Sequence, residues 1–310
     1  MAGVSAALNL DESAVRRSLR MEDVIETMER TLADFSGGLF VQPVRTVIPV
    51  EEHGGFLYVM PAYTRGALGA KLVTLYPGNV DVPTHNATIL LFDPANGAPL
   101  ASLDGRLVTE MRTAAVSAVA TRHLARADAR VLGILGAGVQ AGSHLEALRL
   151  VRELTDVRVW SPTRGAAFAR EHGVKAAASA EEAVRGADIV VTVTTSRTPV
   201  LRGEWLAPGA HVNAVGAPRP DWRELDDGVL NRTTIFVDSR AAAEAESGDV
   251  RAALAAGGSI AAEIGEVVAG SAPGRSSDDE VTLFKSLGMA VEDVATAELV
   301  LSRSRDGPTP

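Results

Sequence analysis

Residues 131–148 read VLGILGAGVQAGSHLEAL. An apolar run leads into glycines at 136 and 138 and an alanine at 141, after which Ala141, Leu145 and Leu148 recur at helical spacing. Strand, glycine turn and helix in that order form the dinucleotide-binding fingerprint in its alanine-ended version. Gly136 makes the tight turn, Gly138 lets backbone approach a pyrophosphate, and Ala141 lets helix and strand pack closely. The helix N-terminus then offers free N–H groups and partial positive charge to phosphate oxygens. A tight turn without a ligand can use the same residues, so the surroundings decide. A second strand, VRVW at 157–160, follows at the spacing that a nucleotide-binding βαβ unit requires.

Downstream, short apolar strands such as DIVVTVTT, HVNAVG and TIFVDS alternate with helical stretches. That alternation predicts a parallel, doubly wound α/β sheet. Upstream the texture differs. The segment DESAVRRSLRMEDVIETMERTLADFSGG starts at a candidate N-cap, Asp11, ends at Gly37 and Gly38, and reads as two short helices or one broken one. From 41 to 104, β-branched runs broken by Gly, Pro and Asn predict a sheet, with DPANG as its clearest hairpin turn. Helical spacing returns at 109–126, with Thr109 as the expected N-cap and Arg112 in the first turn. The stretch 271–280 is a polar loop, 281–304 a strand end and final helix, and SRDGPTP at 304–310 a frayed tail.

A length of 310 residues allows two domains, and 46% hydrophobic against 22% charged residues describes a globular chain with cores of Val, Leu, Ile and Ala. The net charge of -9, with no Lys/Arg-rich run, excludes a nucleic-acid backbone as partner. The absence of cysteine removes disulfides, thiolate nucleophiles and Cys-type zinc sites, and no cluster of metal ligands stands out. The N-terminus lacks a signal-peptide pattern and no apolar run is long enough to span a membrane, so a cytoplasmic protein is expected.

The end of the second strand bears on which dinucleotide is bound. An acid there would hydrogen-bond the ribose hydroxyls of NAD, but this chain has Trp160-Ser161-Pro162-Thr163-Arg164. Hydroxyls and a guanidinium suit a 2′-phosphate, which favours NADPH and leaves NADH as the alternative. Arg164 can equally be a solvated helix residue.

In the sheet half, Arg45 within QPVRTVIPV and Lys71 within GAKLVTLY are lone cations in apolar strands, and Arg112 is a third. Such residues either face water or await an anion. Together the three could clamp a substrate carboxylate. His85 is a candidate acid or base, against the commoner structural histidine, and Asp93 and Asp104 read as turn formers. Glu246 lies on a polar helical stretch whose default is a solvated face.

The stretches QPVRTVIP, AKLVTLY, VPTHNATILLF, MRTAAVSAVAT, ILGAGVQA, GEWLAPGAHVNAVGAPRPDWRELDD, ESGDV and TLFKSLGMAVED resemble the ornithine cyclodeaminase/mu-crystallin family, from about residue 8 to 303. The last three stretches are nearest its mu-crystallin branch. The resemblance implies a Rossmann domain over 118–280, inserted in a smaller α+β substrate-binding and dimerisation domain formed by 1–117 and completed by 281–310, and a homodimer. It implies an NADPH-dependent oxidoreductase that reduces cyclic ketimine carboxylates of the pyrroline- or piperideine-2-carboxylate type. Within the family, an NAD-dependent ornithine cyclodeaminase or alanine dehydrogenase is the rival activity. A non-catalytic NADPH-dependent binder of a small carboxylate is the rival from another class.

By the same resemblance, Arg45, Lys71 and Arg112 hold the substrate carboxylate and Glu246 lies beside the substrate, where it could stabilise an iminium. The cofactor would contact Thr84, His85 and Arg112 in the sheet half. It would contact Gly136, Ala137, Gly138, Val139 and Gln140 at the glycine turn, Ser161, Thr163 and Arg164 after the second strand, and Thr194, Val215 and Ser286 beyond. Two positions depart from the family. Pro218 stands where cyclodeaminases carry an amine-binding Asp, and proline can serve neither as acid, base nor amine anchor. Ser161-Pro162 stands where the mu-crystallin branch has an Asn-Arg pair, which leaves Arg164 to meet a 2′-phosphate.

Overall fold

The computed structural model describes residues 7–306. The chain divides into two compact units, one running to Arg112 and resuming at Met289, the other Thr113–Gly288. In chain order the first unit contains β1 (Leu8–Leu10), α1 (Glu12–Ser18), α2 (Met21–Ser36), β2 (Thr46–Val50), β3 (Gly55–Tyr63), β4 (Leu68–Leu75), β5 (His85–Phe92) and β6 (Pro99–Asp104). Helix α3 (Gly105–Leu124) carries the chain onward. The second unit contains β7 (Val131–Leu135), α4 (Val139–Val151), β8 (Asp156–Trp160), α5 (Gly165–His172), β9 (Lys175–Ala176), α6 (Ala180–Val184), β10 (Ile189–Thr192) and β11 (His211–Ala214). It continues with α7 (Asp227–Arg232), β12 (Thr234–Val237), α8 (Arg240–Glu246), α9 (Gly248–Ala255), β13 (Ile260–Glu263), α10 (Ile264–Val268) and β14 (Thr282–Lys285). Helix α11 (Ala290–Asp306) returns the chain to the first unit.

The first unit is a six-stranded sheet in the order β1-β6-β5-β4-β3-β2, antiparallel except for the β1–β6 pair. Helix α11 packs on β3, β4 and β5 and also on α2. The buried stripe of α2, Met21, Val24, Ile25, Met28 and Leu32, supplies its side of that core. Asp11 caps α1 as expected, its carboxylate accepting from the Ala14 N–H at 2.8 Å. The DPANG turn also forms, with Asp93 accepting from the Ala95 N–H.

The second unit is an eight-stranded parallel sheet in the order β13-β12-β14-β11-β10-β7-β8-β9. Its central strands β10, β11 and β14 are buried at every residue, as parallel strands covered on both faces must be. The strand order reverses at β7, so the glycine turn sits where an open α/β sheet binds nucleotides, outside the carboxyl ends of its strands.

Several local expectations change. Helix α3 begins at Gly105, and Thr109 lies inside it with its hydroxyl donating to the Gly105 carbonyl at 2.7 Å. Asp104, rather than Thr109, meets the helix start by accepting from the Arg106 N–H. Arg45 lies one residue before β2 rather than within it. Residues 281–288, expected with the first domain, fall in the second unit, where β14 pairs with β11 and β12, and residues 113–117 of α3 fall there too. Ser304 to Asp306 continue α11, while residues 307–310 of the expected tail, and residues 1–6 of the segment read for a signal peptide, lie outside the described residues. No helix among the described residues is long and apolar enough to cross a membrane.

Candidate active site

In the first unit the sheet and two helices gather a buried cluster of charge. Lys71 on β4 is 2% exposed and Arg112 on α3 is 5% exposed. Neither lies on the exposed strand face that was the plain alternative for Lys71. Both meet the start of α11. Lys71 Nζ is 2.6 Å from Asp293 Oδ2, Arg112 Nε is 3.0 Å from Asp293 Oδ1, and Arg112 Nη1 is 2.8 Å from Glu292 Oε2. Asp293 and Glu292 are fully buried. The half-buried Arg45 joins the group electrostatically, since its charge acts on Lys71. Burial lowers the Lys71 pKa from 10.5 to about 8; Asp293 opposes the shift, and the charges of Arg112 and Arg45 add to it. Cations from two elements of this unit thus converge on the buried carboxylates, a setting that suits an anionic ligand.

His85 opens β5, and its Nδ1 lies 3.1 Å from Thr84 Oγ1. Partial desolvation of the ring, and then the Lys71 charge, lower its pKa, so the imidazole is neutral at pH 7. Thr84, His85, Lys71, Arg112 and Arg45 thus all belong to the first unit. Glu246, at the C-terminal end of α8, is half-buried and belongs to the second. Asp293 and Glu292 were not anticipated. Acids in the first turn of a helix read as solvated N-terminal charges, and the contacts with Lys71 and with Arg112, the latter some 180 residues earlier, show otherwise.

In the second unit, Gly136 follows β7 with φ 117°. A Cβ there would lie 2.6 Å from the Val193 carbonyl oxygen, so both the conformation and the space demand glycine. Gly138 is the N-cap of α4, has no side-chain cap, and has nothing within 4 Å of where its Cβ would be. Open space in front of uncapped N–H groups is what a diphosphate needs. Ala141, Leu145 and Leu148 are buried on the inner face of α4.

Two buried polar atoms at this end of the sheet have no hydrogen-bond partner among the described residues. They are Gln140 Oε1, in the first turn of α4, and Ser286 Oγ, which follows β14 in a residue only 1% exposed. Uncommitted buried polar atoms cost stability unless a ligand or water satisfies them. With Gly136 and Gly138 they fit a dinucleotide, whose pyrophosphate Ala137, Gly138, Val139 and Gln140 would meet. Beyond β8, Ser161 is half-buried while Thr163 and Arg164 are exposed, and the Arg164 side chain has no hydrogen bond or ion pair among the described residues. Thr194 follows β10 and Val215 follows β11, the Val215 N–H donating to the Thr192 carbonyl at 2.9 Å. After it Ala217 takes a positive φ of 53°, and Pro218 next to it is exposed.

The comparisons with known proteins agree with one another. The chain is 51% identical over 304 residues to the ketimine reductase mu-crystallin of Mus musculus, covering 94% of this chain and 95% of that one. The solved Thermococcus litoralis Delta(1)-pyrroline-2-carboxylate reductase, in complex with NADH and L-proline, superposes with a TM-score of 0.91 at 39% identity, covering 96% of this chain and 98% of that one. An archaeal alanine dehydrogenase dimer with bound NAD also superposes with a TM-score of 0.91, at 35% identity over 98% of both chains. The model of the ornithine cyclodeaminase/mu-crystallin family matches residues 7–307, and the chain belongs to that family.

Proposed function

We propose that this protein is an NAD(P)H-dependent reductase of cyclic ketimine carboxylates. The observation that carries the reading is the buried cluster of the first unit, where Lys71 and Arg112 meet at Asp293 and the charge of Arg45 acts on Lys71, a set of cations that suits a substrate carboxylate. The relatives support it, since a ketimine reductase and a pyrroline-2-carboxylate reductase are among them. Arg45, Lys71 and Arg112 bind and orient the carboxylate, the guanidinium groups by directed hydrogen bonds and Lys71 as a point charge. Held by that group, the ring presents its C=N carbon in one orientation. A bound reduced nicotinamide supplies the hydride. The imine nitrogen takes its proton from solvent before binding, so the iminium needs no proton donor from the chain. Glu246 is assigned to stabilise its positive charge. Pro218, where cyclodeaminases carry an acid, speaks against release of ammonia from ornithine. In solution a homodimer formed through the first unit would cover Val44, Val47 and Ile48, which are exposed along and just before β2.

A substrate panel tests the reading. Purified protein is expected to oxidise NADPH with five- or six-membered cyclic ketimine acids, faster at mildly acidic pH, and to release no ammonia from ornithine. Ammonia and proline from ornithine with catalytic NAD would move the chain to cyclodeaminase. Ligand binding without turnover of either cofactor across imino and keto acids would make it a binder.

Two further results are expected. Lys71 must be protonated to hold a carboxylate, so the KM for the ketimine rises above about pH 8. The folded pKa lies below the unfolded value of 10.5, so between these two pH values the unfolded chain holds the proton more tightly. The Lys71 contribution to stability therefore grows as pH rises, and weakened binding cannot be ascribed to unfolding by this group. A KM that stays flat from neutral pH through this range contradicts the assignment. For cofactor choice, Arg164→Ala is expected to raise the KM for NADPH more than that for NADH, because only NADPH loses a partner for its 2′-phosphate. The exposed contact should be worth about 1 kcal/mol, or roughly fivefold. Equal effects on both cofactors would return Arg164 to the role of a plain helix residue.

A further inference from the structure

Beneath the turns that follow β10 and β11 lies a second buried charge group, centred on Glu224. Glu224, Asp249 and Lys285 are fully buried. Lys285 Nζ donates to the Gly216 carbonyl and lies 3.4 Å from Asp249 Oδ2. Asp249 in turn accepts from the backbone N–H groups of Glu224 and Leu225. The Glu224 carboxylate occupies the space beside Gly216, where a Cβ would come 2.3 Å from its carboxyl carbon. It accepts three hydrogen bonds, from Thr192 Oγ1 at 2.8 Å, the Thr194 N–H at 2.8 Å and Thr194 Oγ1 at 2.5 Å.

These contacts fix the polarity of one hydroxyl. Thr194 Oγ1 gives its only proton to Glu224 and accepts from the Ser196 N–H at 3.0 Å. A hydroxyl has one donor and two acceptor positions, so a single lone pair remains. Thr194 is half-buried, so this lone pair can meet a ligand, and it can only accept.

The topology indicates which ligand group lies there. Strand order reverses at β7, with β8 on one side and β10 and β11 on the other. The end of β8 carries the residues that read the adenosine ribose, so the turns after β10 and β11 serve the opposite half of the dinucleotide. A ribose hydroxyl donates or accepts equally well and needs no preset partner. The carboxamide nitrogen of nicotinamide only donates.

We infer that Glu224 is a positioning residue: by taking the Thr194 hydroxyl proton it makes Thr194 Oγ1 an obligate acceptor for the N–H2 of the nicotinamide carboxamide. This rests on the nucleotide reading of the second unit and adds to it a residue that does not itself touch the cofactor.

The test compares the oxidised dinucleotide with its 3-acetylpyridine analogue, in which a methyl group replaces the carboxamide nitrogen, by calorimetric titration. The protein should bind the natural cofactor about three- to tenfold more tightly, the worth of one neutral hydrogen bond. Thr194→Val should bring the ratio close to one, and Thr194→Ser should keep it. Glu224→Met should also abolish the preference. Glu224→Gln should retain it, because its one carbonyl oxygen turns to the fixed Thr194 N–H while its amide faces Thr192, whose hydroxyl can rotate to accept. Should Glu224→Met fail to fold, Glu224→Asp, one methylene short of Thr194, carries the same expectation. Rescue by glutamine separates positioning from bulk structural support. The inference is overturned if the wild type binds both dinucleotides equally, or if the preference survives Thr194→Val, Glu224→Met or Glu224→Asp. If the wild type binds neither dinucleotide, the nucleotide reading falls and this inference with it; equal binding of both removes this inference alone.

Discussion

Replacing Arg112 by leucine is expected to destabilise the protein by about 3–5 kcal/mol, the cost of breaking a buried ion pair from one side. Arg112 is the ion-pair partner of Glu292 and shares Asp293 with Lys71. Without it Asp293 keeps Lys71, but Glu292, fully buried, loses the guanidinium 2.8 Å from its Oε2. The loss should appear as a lower midpoint in urea unfolding with little change in slope. Adding Glu292→Leu to the variant should recover much of the loss, since two apolar residues in place of a buried pair are often close to neutral. A loss below about 1 kcal/mol would show that the cluster owes its stability to something other than this pairing.

For catalysis the largest effect is expected at Arg45. Arg45→Lys should fold normally, because the side chain is only half-buried and the charge is kept. A lysine cannot reproduce two parallel hydrogen bonds to a carboxylate, so the substrate would be held at a tilt. A lost charged hydrogen bond is worth about 1.5–3 kcal/mol, so kcat/KM should fall roughly ten- to 150-fold. Affinity for NADPH should barely change, and a cyclic imine lacking the carboxylate should be reduced at nearly the wild-type rate. Unchanged rates and an unchanged melting temperature would remove the substrate site from this sheet.

What the sequence made legible follows from which signals are local. The glycine turn is one, since Gly136 and Gly138 answer to a backbone angle and a missing Cβ that the neighbouring strand and helix already imply. The strands after it announce themselves as short apolar runs because parallel strands are buried on both faces. Strand β13 escaped notice, as its IAAE sequence carries too little apolar or β-branched character to stand out. The start of α3 was placed late because Gly105 reads as part of a turn, although it begins a helix. The charge cluster was legible only by half. Lone cations in apolar strands mark themselves, whereas Asp293 and Glu292 look like ordinary first-turn acids until tertiary contact buries them. Glu224 gave no signal at all, since its role depends on three donors that reach it from 30 and 32 residues away in the chain.

The central claim is that this chain directs a hydride onto the C=N carbon of a carboxylate-bearing cyclic imine. Reduction of piperideine-2-carboxylate with NADPH carrying deuterium at the transferred C4 position, followed by mass spectrometry of the product, tests it most directly. The predicted product is the cyclic amino acid with one deuterium, bound to the carbon that carries the carboxylate. An unlabelled product, or no product from protein that has bound both cofactor and imine, would contradict it.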